Sequence, residues 1–354
     1  MVHAPPRFET NVPVRVNLYS DTQTKPSAAM KQAMMEAEVG DEQHGSDPTT
    51  HALCDRMAAL LGKEAAVFMP SGTMCNEVAI LTQCRPGDEI LAHPTAHIYS
   101  SEGGAPAALA GALITGLPGE GGQFSVETLK AAIRPKTRYA PPQRMVEVEQ
   151  TANLGGGRVW RLEVLNEIAE VAHEHGMVTH MDGARLMNAV VASGIPAHEM
   201  CAGYDTVWLD FTKGLGAPLG AVLAGSSEVI GEAWRWKQRV GGSMRQSGIC
   251  AAACLYALDH NIDRLAEDHE NARVLARELA QVPGITVELP ETNLVFFDVS
   301  GTGVSGAELA GRLREKGVLI SVMGKHRGRA CTHLDVDRAG VLEAAAAVRE
   351  VLAA

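Results

Sequence analysis

Short, mainly apolar runs alternate with amphipathic segments along the first two thirds of the chain. The runs at 65–69, 89–92, 177–181 and 207–209 have the length and composition of buried strands. Residues 162–175 instead repeat their apolar positions with the period of a helix and end at a glycine. This alternation of strand and helix predicts an α/β fold with a mostly parallel sheet between helices.

The last third of the chain predicts a second, smaller unit. A long helix from about 248 to 282 would lead into it. The unit itself would consist of strands at 286–288, 293–299 and 318–322, a helix over 306–316 and an alanine-rich final helix. We therefore expect an N-terminal arm over residues 1–20, a large domain over 21–255 and a small C-terminal α/β domain over 256–354.

One lysine stands at the end of a predicted strand in an unusual setting. Lys213 follows the apolar run at 207–209 and has Gly214 and Gly216 close after it. Glycines allow backbone or a flat ligand to approach closely, and a lysine held there could act as the amine of a Schiff base. A surface lysine in an ordinary turn is the alternative that these residues leave open.

A second candidate feature is a helix that starts directly after the strand at 65–69. Ser71, Gly72 and Thr73 occupy its first positions, where free backbone N–H groups and the helix dipole favour an anion. These residues therefore predict a phosphate site. An ordinary N-cap that binds nothing is the alternative.

A third candidate, Asp182, ends the strand at 177–181. It precedes Lys213 by 31 residues, enough for the chain to leave the sheet and return to the same edge. A lysine, a carboxylate and an anion-binding helix start are the groups that pyridoxal phosphate requires for its aldehyde, its pyridinium nitrogen and its phosphate. A turn or cap aspartate is the alternative for Asp182.

Net charge and composition restrict the classes of partner that we expect for this protein. The net charge of −11 argues against nucleic acid or an anionic membrane, and no apolar run has the length of a membrane span. The N-terminus lacks the apolar core of a signal peptide, and the seven cysteines include no CxxC pair. We expect a cytoplasmic protein with reduced cysteines, no metal and a small-molecule substrate.

Segments along nearly the whole chain carry a family resemblance: NLYSDTQTKP, AEVGDEQHGSDPT, PSGTMCNEVA, HIYSSEGG, HMDGARLMNA, FTKGLGAPLG, GGSMRQSG and RACTHLDV. With them the chain resembles the threonine aldolase and β-eliminating lyase family of fold-type-I pyridoxal-phosphate enzymes. The resemblance implies retro-aldol cleavage of L-β-hydroxy-α-amino acids, such as threonine, allo-threonine or phenylserine, to glycine and an aldehyde. The alternatives are β-elimination, transamination or a protein that binds the cofactor without catalysis.

The same resemblance implies roles for individual residues. Lys213 would form the Schiff base, Asp182 would pair with the pyridinium nitrogen, and His97 would stack on the ring and serve as the candidate base. Ser71, Gly72 and Thr73 would form the phosphate site. The substrate carboxylate would be bound by Ser20, Arg185 and Arg329, and Arg185 would also lie near the cofactor. In a homodimer or homotetramer, Arg245 or Lys237 of a neighbouring subunit would add a contact to the phosphate.

Two of these arginines have alternatives. Arg185 could instead be a buried ion-pair residue, and Arg329 has Arg327 as a neighbour two positions away. The sequence also departs from the family pattern. Ala152 replaces a histidine near the expected substrate hydroxyl, and His44 stands where a bulky residue such as tyrosine is common. We therefore expect additional space for larger β-substituents.

Overall fold

The computed structural model describes residues 12–353, which form thirteen strands and thirteen α-helices. The strands are β1 (Val16–Asn17), β2 (Ala65–Met69), β3 (Glu89–Ala92), β4 (Leu113–Gly116), β5 (Gln143–Glu149), β6 (Val178–Gly183), β7 (Thr206–Asp210), β8 (Ala221–Gly225), β9 (Thr286–Val287), β10 (Leu294–Asp298), β11 (Val318–Leu319), β12 (Ser321–Val322) and β13 (Arg327–Cys331). The helices are α1 (Ala28–Met35), α2 (Pro48–Leu61), α3 (Gly72–Gln83), α4 (His97–Ser100), α5 (Val126–Ala132), α6 (Leu162–Glu174), α7 (Leu186–Ser193), α8 (Ala197–Cys201), α9 (Ser227–Arg239), α10 (Gly248–His260), α11 (Leu265–Leu279), α12 (Gly306–Glu315) and α13 (Arg338–Ala353).

The largest sheet has seven strands in the order β2-β8-β7-β6-β5-β3-β4. Its neighbours from β7 to β4 pair in parallel, whereas β8 is antiparallel to both β2 and β7. Six of the seven strands therefore run in one direction, and the predicted mostly parallel sheet is confirmed. The carboxyl ends of β5, β6 and β7 consequently lie next to each other along one edge, where α/β folds bind their ligands.

Helices cover both faces of this sheet. In β2, Val67 and Met69 pack on the side of α3 and α9, whereas Phe68 lies in the larger core with Leu53 and Met57 of α2. Successive side chains of a strand point to opposite faces, so a strand that is apolar throughout must be buried on both. The continuous apolar runs of the sequence therefore mark a covered sheet. Within residues 12–353, no helix has the length and apolar content required to cross a membrane.

The C-terminal part forms a four-stranded antiparallel sheet, β12-β13-β10-β9, with α12 and α13 packed around its own core. The N-terminal segment joins this unit, because β1 pairs in parallel with β11 and both Val16 and Leu18 belong to that core. Both ends of the chain thus contribute to the smaller unit. The start of the predicted N-terminal arm, residues 1–11, lies outside the described residues.

Two predicted elements are wrong in detail. The long helix over 248–282 is divided into α10 and α11, because the chain turns at 261–264 and Asn261 donates to the Leu215 carbonyl (2.7 Å). The strand over 318–322 changes sheets, since β11 pairs with β1 and β12 pairs with β13. A pattern of apolar residues does not reveal such a change of partner.

The division into a large domain over 21–255 and a small domain over 256–354 remains a proposal. Its boundary falls inside α10, which packs against α1 and α2 of the larger unit. Helix α11 packs against α13 of the smaller unit and also against α7 of the larger one. The nearest break between helices is the turn at 261–264.

Candidate active site

A buried carboxylate lies at the carboxyl edge of the sheet. Asp182 is 1% exposed and stands in register between Glu149 of β5 and Trp208 of β7. Its Oδ2 accepts a hydrogen bond from Asn76 Nδ2 (2.9 Å), and its Oδ1 accepts one from the Ala184 backbone (3.0 Å). Burial raises the pKa of Asp182, although the hydrogen bond from Asn76 and the charges of His97 and Lys213 act in the opposite direction. A cationic group bound directly to Asp182 would offset the free-energy cost of burying its charge.

The amine of Lys213 lies close to this carboxylate. Lys213 follows β7 by three residues, forms an ion pair with Asp210 and places Nζ 5.7 Å from the centre of the Trp208 ring. Asp210 is held by the Thr212 backbone and hydroxyl, both of which donate to its Oδ1 (2.9 and 2.8 Å). Since Trp208 is the register neighbour of Asp182, the structure brings Lys213 and Asp182 together at one edge.

The start of α3 reaches the same place. Ser71 is its N-cap and accepts a hydrogen bond from Met74 N (3.2 Å), so the ordinary cap that the sequence allowed is present. The N–H groups of Gly72 and Thr73 precede the first intrahelical hydrogen bond and can serve an anion. The Trp208 ring packs directly on Gly72, where an added Cβ would lie 2.3 Å from its Cη2. Only glycine allows this approach.

A histidine and a buried glutamate complete this side of the site. His97 begins α4, and its Nδ1 lies 2.6 Å from Oε1 of Glu102, whose side chain has no exposed surface. The hydrogen bond to Glu102 raises the pKa of His97 above its ordinary value. Burial opposes ionisation of Glu102, but the hydrogen bonds from His97 and Asn76 lower its pKa. This hydrogen bond occupies Nδ1 of His97 and not its other ring nitrogen, Nε2.

Arg185 is committed to a partner within the chain. Its Nε and Nη2 donate to the two oxygens of Asp21 (2.8 and 2.7 Å), and both side chains are buried. Although burial alone would raise it, the charge and hydrogen bonds of Arg185 hold the pKa of Asp21 well below its usual range. The buried ion pair that the sequence allowed for Arg185 is thus present, and it occupies Nε and Nη2 but not Nη1.

Arg329 lies in the same region with weaker neutral partners. It donates from Nε to Ser321 Oγ (3.0 Å), from Nη1 to Asn153 Oδ1 (3.1 Å) and from Nη2 to the Tyr19 carbonyl (3.4 Å). It is 8% exposed, whereas Arg327 pairs with a glutamate on the surface. Arg329 is therefore the better placed of the two for a buried carboxylate.

Ser20 lies between the contacts of both arginines. Its hydroxyl accepts from the backbone and the hydroxyl of Thr22 (3.2 and 2.8 Å), and it is buried. The preceding residue binds Arg329 through its carbonyl, and the following residue, Asp21, binds Arg185. The three predicted carboxylate ligands are therefore brought together.

The comparisons with known proteins agree with this arrangement. The profile of the family described as Beta-eliminating lyase matches residues 17–302. The chain belongs to the beta-eliminating lyase family.

Relatives and solved structures of the family match over nearly the full chain. The low specificity L-threonine aldolase of Escherichia coli K12 is 40% identical over 96% of this chain and 99% of its own. Low-specificity L-threonine aldolase 1 of Arabidopsis thaliana is 38% identical over 92% and 93%. The structure of the Leishmania major threonine aldolase superposes with a TM-score of 0.82 at 18% identity, covering 95% of this chain and 99% of its own. This likeness confirms the fold-type-I architecture.

One departure from the family pattern has a different consequence from the one expected. Ala152 is 1% exposed, and its methyl group packs against Gly122, where an added Cβ would lie 2.7 Å from it. Because the backbone around Gly122 approaches Ala152, the missing imidazole does not simply leave an open volume for a larger substrate. The expectation of additional space at Ala152 is therefore not supported.

The expected contact of Lys237 with a neighbouring subunit is wrong. Lys237 has no exposed surface and forms a buried ion pair with Glu42, with Nζ 4.5 Å from the centre of the Trp234 ring. Arg245 differs, since its side chain is 59% exposed and pairs with Asp41 (2.9 Å). Of these two cations, only Arg245 lies on a surface that another subunit could approach.

Sequence reasoning missed Asn76, which donates to both Asp182 and Glu102 (2.9 Å each). The available signal was a lone amide inside the apolar first turns of α3, at a position that the fold buries completely.

In residues 12–353, no three His, Cys, Asp or Glu side chains form a metal site. All seven cysteines lie within these residues and are free.

Proposed function

We propose that this protein cleaves L-β-hydroxy-α-amino acids to glycine and an aldehyde with pyridoxal phosphate as cofactor. The observation that carries the proposal is the placement of the Lys213 amine and the buried Asp182 carboxylate at adjacent strand ends, next to the start of α3. The relatives are low-specificity L-threonine aldolases, and this activity supports the same reaction.

The residues present fit this cofactor. Lys213 supplies the amine for its aldehyde, Asp182 the carboxylate for its ring nitrogen, and the N–H groups at 71–73 the donors for its phosphate. The imidazole of His97 supplies a flat surface for the ring. Bound through Lys213, the cofactor supplies an electron sink for the bond that breaks at Cα.

The substrate carboxylate is held by the arginine side of the site. Arg329 and the free N–H groups of Arg185 offer charge-assisted donors, and the Ser20 hydroxyl lies between them. This clamp would fix the rotation about Cα and thereby the orientation of the bonds of Cα in the site. Orientation of this kind accounts for a large part of the rate in such reactions.

His97 acts as the base in this proposal. Because the Glu102 carboxylate accepts from Nδ1, the neutral imidazole carries its proton on Nδ1 and its lone pair on Nε2. Nε2 then accepts the proton of the β-hydroxyl group as the Cα–Cβ bond breaks. Glu102 stabilises the imidazolium that forms.

The assembly and location are also proposals. We infer a homodimer or homotetramer in which the exposed Arg245 approaches the cofactor phosphate of a neighbouring subunit. The free cysteines and the absence of a membrane-spanning helix among the described residues are compatible with the cytoplasm. Sedimentation of the parent protein and of an Arg245→Ala variant, together with cofactor titration, tests the shared site.

The reaction is tested with a panel of threonine, allo-threonine, phenylserine and serine isomers. Glycine and the matching aldehyde are expected in equal amounts from the L-β-hydroxy amino acids, and only with added pyridoxal phosphate. Pyruvate or another keto acid as the main product would contradict retro-aldol cleavage and favour β-elimination or transamination.

A further inference from the structure

Asn76 is a shared donor behind two carboxylates of the site. It has no exposed surface, and its Nδ2 donates to Asp182 Oδ2 and to Glu102 Oε1, each at 2.9 Å. An amide nitrogen has two hydrogens, so both are used. Glu102 in turn contacts His97. One side chain thus connects the proposed partner of the cofactor nitrogen with the partner of the proposed base.

The orientation of this amide is fixed from its other end. Trp208 Nε1 lies 2.6 Å from Asn76 Oδ1, and an indole nitrogen can only donate. His180 Nε2 lies 3.0 Å from the same oxygen. If the amide were reversed, its NH₂ group would face the indole N–H, and its oxygen would face both carboxylates. The contacts with Trp208, Asp182 and Glu102 therefore require the NH₂ group to point at the carboxylates.

The hydrogen bonds of His180 continue this fixed arrangement of donors and acceptors away from the site. Since Oδ1 of Asn76 accepts, Nε2 of His180 must donate, and Nδ1 accepts from the Thr206 hydroxyl (2.8 Å). Gln83 Nε2 donates to the same hydroxyl (3.0 Å). Burial lowers the pKa of His180 to about 4, so the ring is neutral and keeps this single tautomer near neutral pH. The series of hydrogen bonds from Gln83 through Thr206, His180 and Asn76 to Asp182 therefore runs in one donor-to-acceptor direction.

We propose that Asn76 is a positioning residue for the cofactor: it holds Asp182 and Glu102 as anions in fixed orientations, and Trp208 and His180 hold Asn76. The inference rests on the proposed function, because it assigns Asp182 to the cofactor nitrogen. A neutral donor between two buried carboxylates serves this purpose better than a cation, which would neutralise Asp182 itself and compete with the cofactor for it.

The test is the dissociation constant of pyridoxal phosphate, measured by titrating cofactor-free protein and following the visible absorbance of the bound form. Asn76→Ala removes both donors and is expected to weaken binding about tenfold or more, because hydrogen bonds to charged groups are the strong ones. Asn76→Asp keeps the shape and the acceptor for Trp208 but turns an oxygen towards both carboxylates. It is expected to bind more weakly still at pH 8.5.

The pH dependence separates positioning from simple packing. At pH 6.5 the carboxyl introduced by Asn76→Asp binds a proton more readily and can then donate, so its dissociation constant is expected to approach that of Asn76→Ala. The matched control is Asn271→Ala, which removes another buried amide, one that contacts Val336 and Arg338 in the smaller unit. This control is expected to lower the melting temperature but to leave the dissociation constant within about twofold.

Trp208→Phe provides a second variant if the Asn76 variants do not fold. It removes the indole donor together with the outer ring atoms that pack on Gly72, so binding is expected to weaken about threefold or more. If cofactor binding is unchanged in both Asn76→Ala and Asn76→Asp, the inference is overturned and the proposed function stays intact. If those two variants do not fold, unchanged binding in Trp208→Phe has the same meaning. Failure of the parent protein to bind pyridoxal phosphate would instead overturn both.

Discussion

Two regions of the site are built in different ways. The cofactor region, comprising Asn76, His97, Glu102, Asp182 and Lys213, comes from one sheet edge and the helices beside it. The carboxylate region, comprising Ser20, Asp21, Arg185 and Arg329, combines the N-terminal segment, the end of β6 and strand β13 of the smaller unit. The first is positioned by sheet register and the second by contact between the two ends of the chain.

This difference has a consequence for their tolerance to change. In the cofactor region, Asp182 and Asn76 are fixed by several partners on rigid elements, so a substitution removes chemistry before it moves the backbone. In the carboxylate region, the Arg185–Asp21 pair also joins the N-terminal segment to the large sheet. A substitution there is expected to change stability together with substrate binding.

The largest effect is expected from Asp182→Asn in the cofactor region. A neutral amide cannot stabilise a protonated ring nitrogen, so kcat is expected to fall by roughly two orders of magnitude or more. Steady-state kinetics with threonine and glycine detection measure the loss. The control is Asp205→Asn, which alters an aspartate directly before β7, at the end of the strand away from Lys213, that pairs with His173 (3.0 Å). Equal losses in both variants would contradict the special position of Asp182.

A smaller, divided effect is expected from the two arginines. Arg329→Lys loses the planar donors but no charged partner, so the KM for the amino acid is expected to rise about tenfold with the melting temperature nearly unchanged. Arg185→Lys leaves Asp21 with an incomplete partner and is expected to lower the free energy of unfolding by about 2 kcal/mol or more.

Kinetic constants and thermal unfolding curves of both arginine variants check this division. A less stable Arg329→Lys together with an Arg185→Lys that binds substrate as the parent does would contradict this division. Arg327→Lys, which alters the neighbouring surface cation, serves as the control and is expected to change neither quantity.

The smallest effect expected is a shift of the pH profile by Glu102→Gln. The carboxylate raises the pKa of His97, and the base form of His97 is present above that pKa, so kcat/KM is expected to rise with pH through it. A neutral glutamine removes the charge, and the rising limb is expected to move to lower pH by about one unit. His173→Asn is the control and is expected to leave the limb unmoved. A shift to higher pH in Glu102→Gln would contradict the assignment.

The sequence predicted the cofactor region better than the carboxylate region. Parallel strands expose their carboxyl ends along one edge, so Asp182 and Lys213 could be brought together from their spacing alone. The partners of Asn76 lie 26, 104, 106 and 132 residues away, and no local pattern indicates such contacts. The commitment of Arg185 to Asp21, across 164 residues, was likewise only one of two alternatives.

The fold shows the same division between local and distant information. Strand and helix positions in the sheet followed from the apolar runs, whereas the break between α10 and α11 and the change of sheet after Leu319 depend on tertiary partners. Ala152 is a further example. Its small side chain suggested open space, and only the structure shows that the backbone at Gly122 packs against its methyl group.

The amine of Lys213 is expected to form a covalent bond with the aldehyde of pyridoxal phosphate. The direct test is borohydride reduction of the protein after incubation with the cofactor, followed by peptide mass spectrometry. We expect one reduced adduct, on Lys213, that threonine added before reduction diminishes and that Lys213→Ala abolishes together with activity. An adduct on another lysine, or none in a protein that still cleaves threonine, would contradict this expectation.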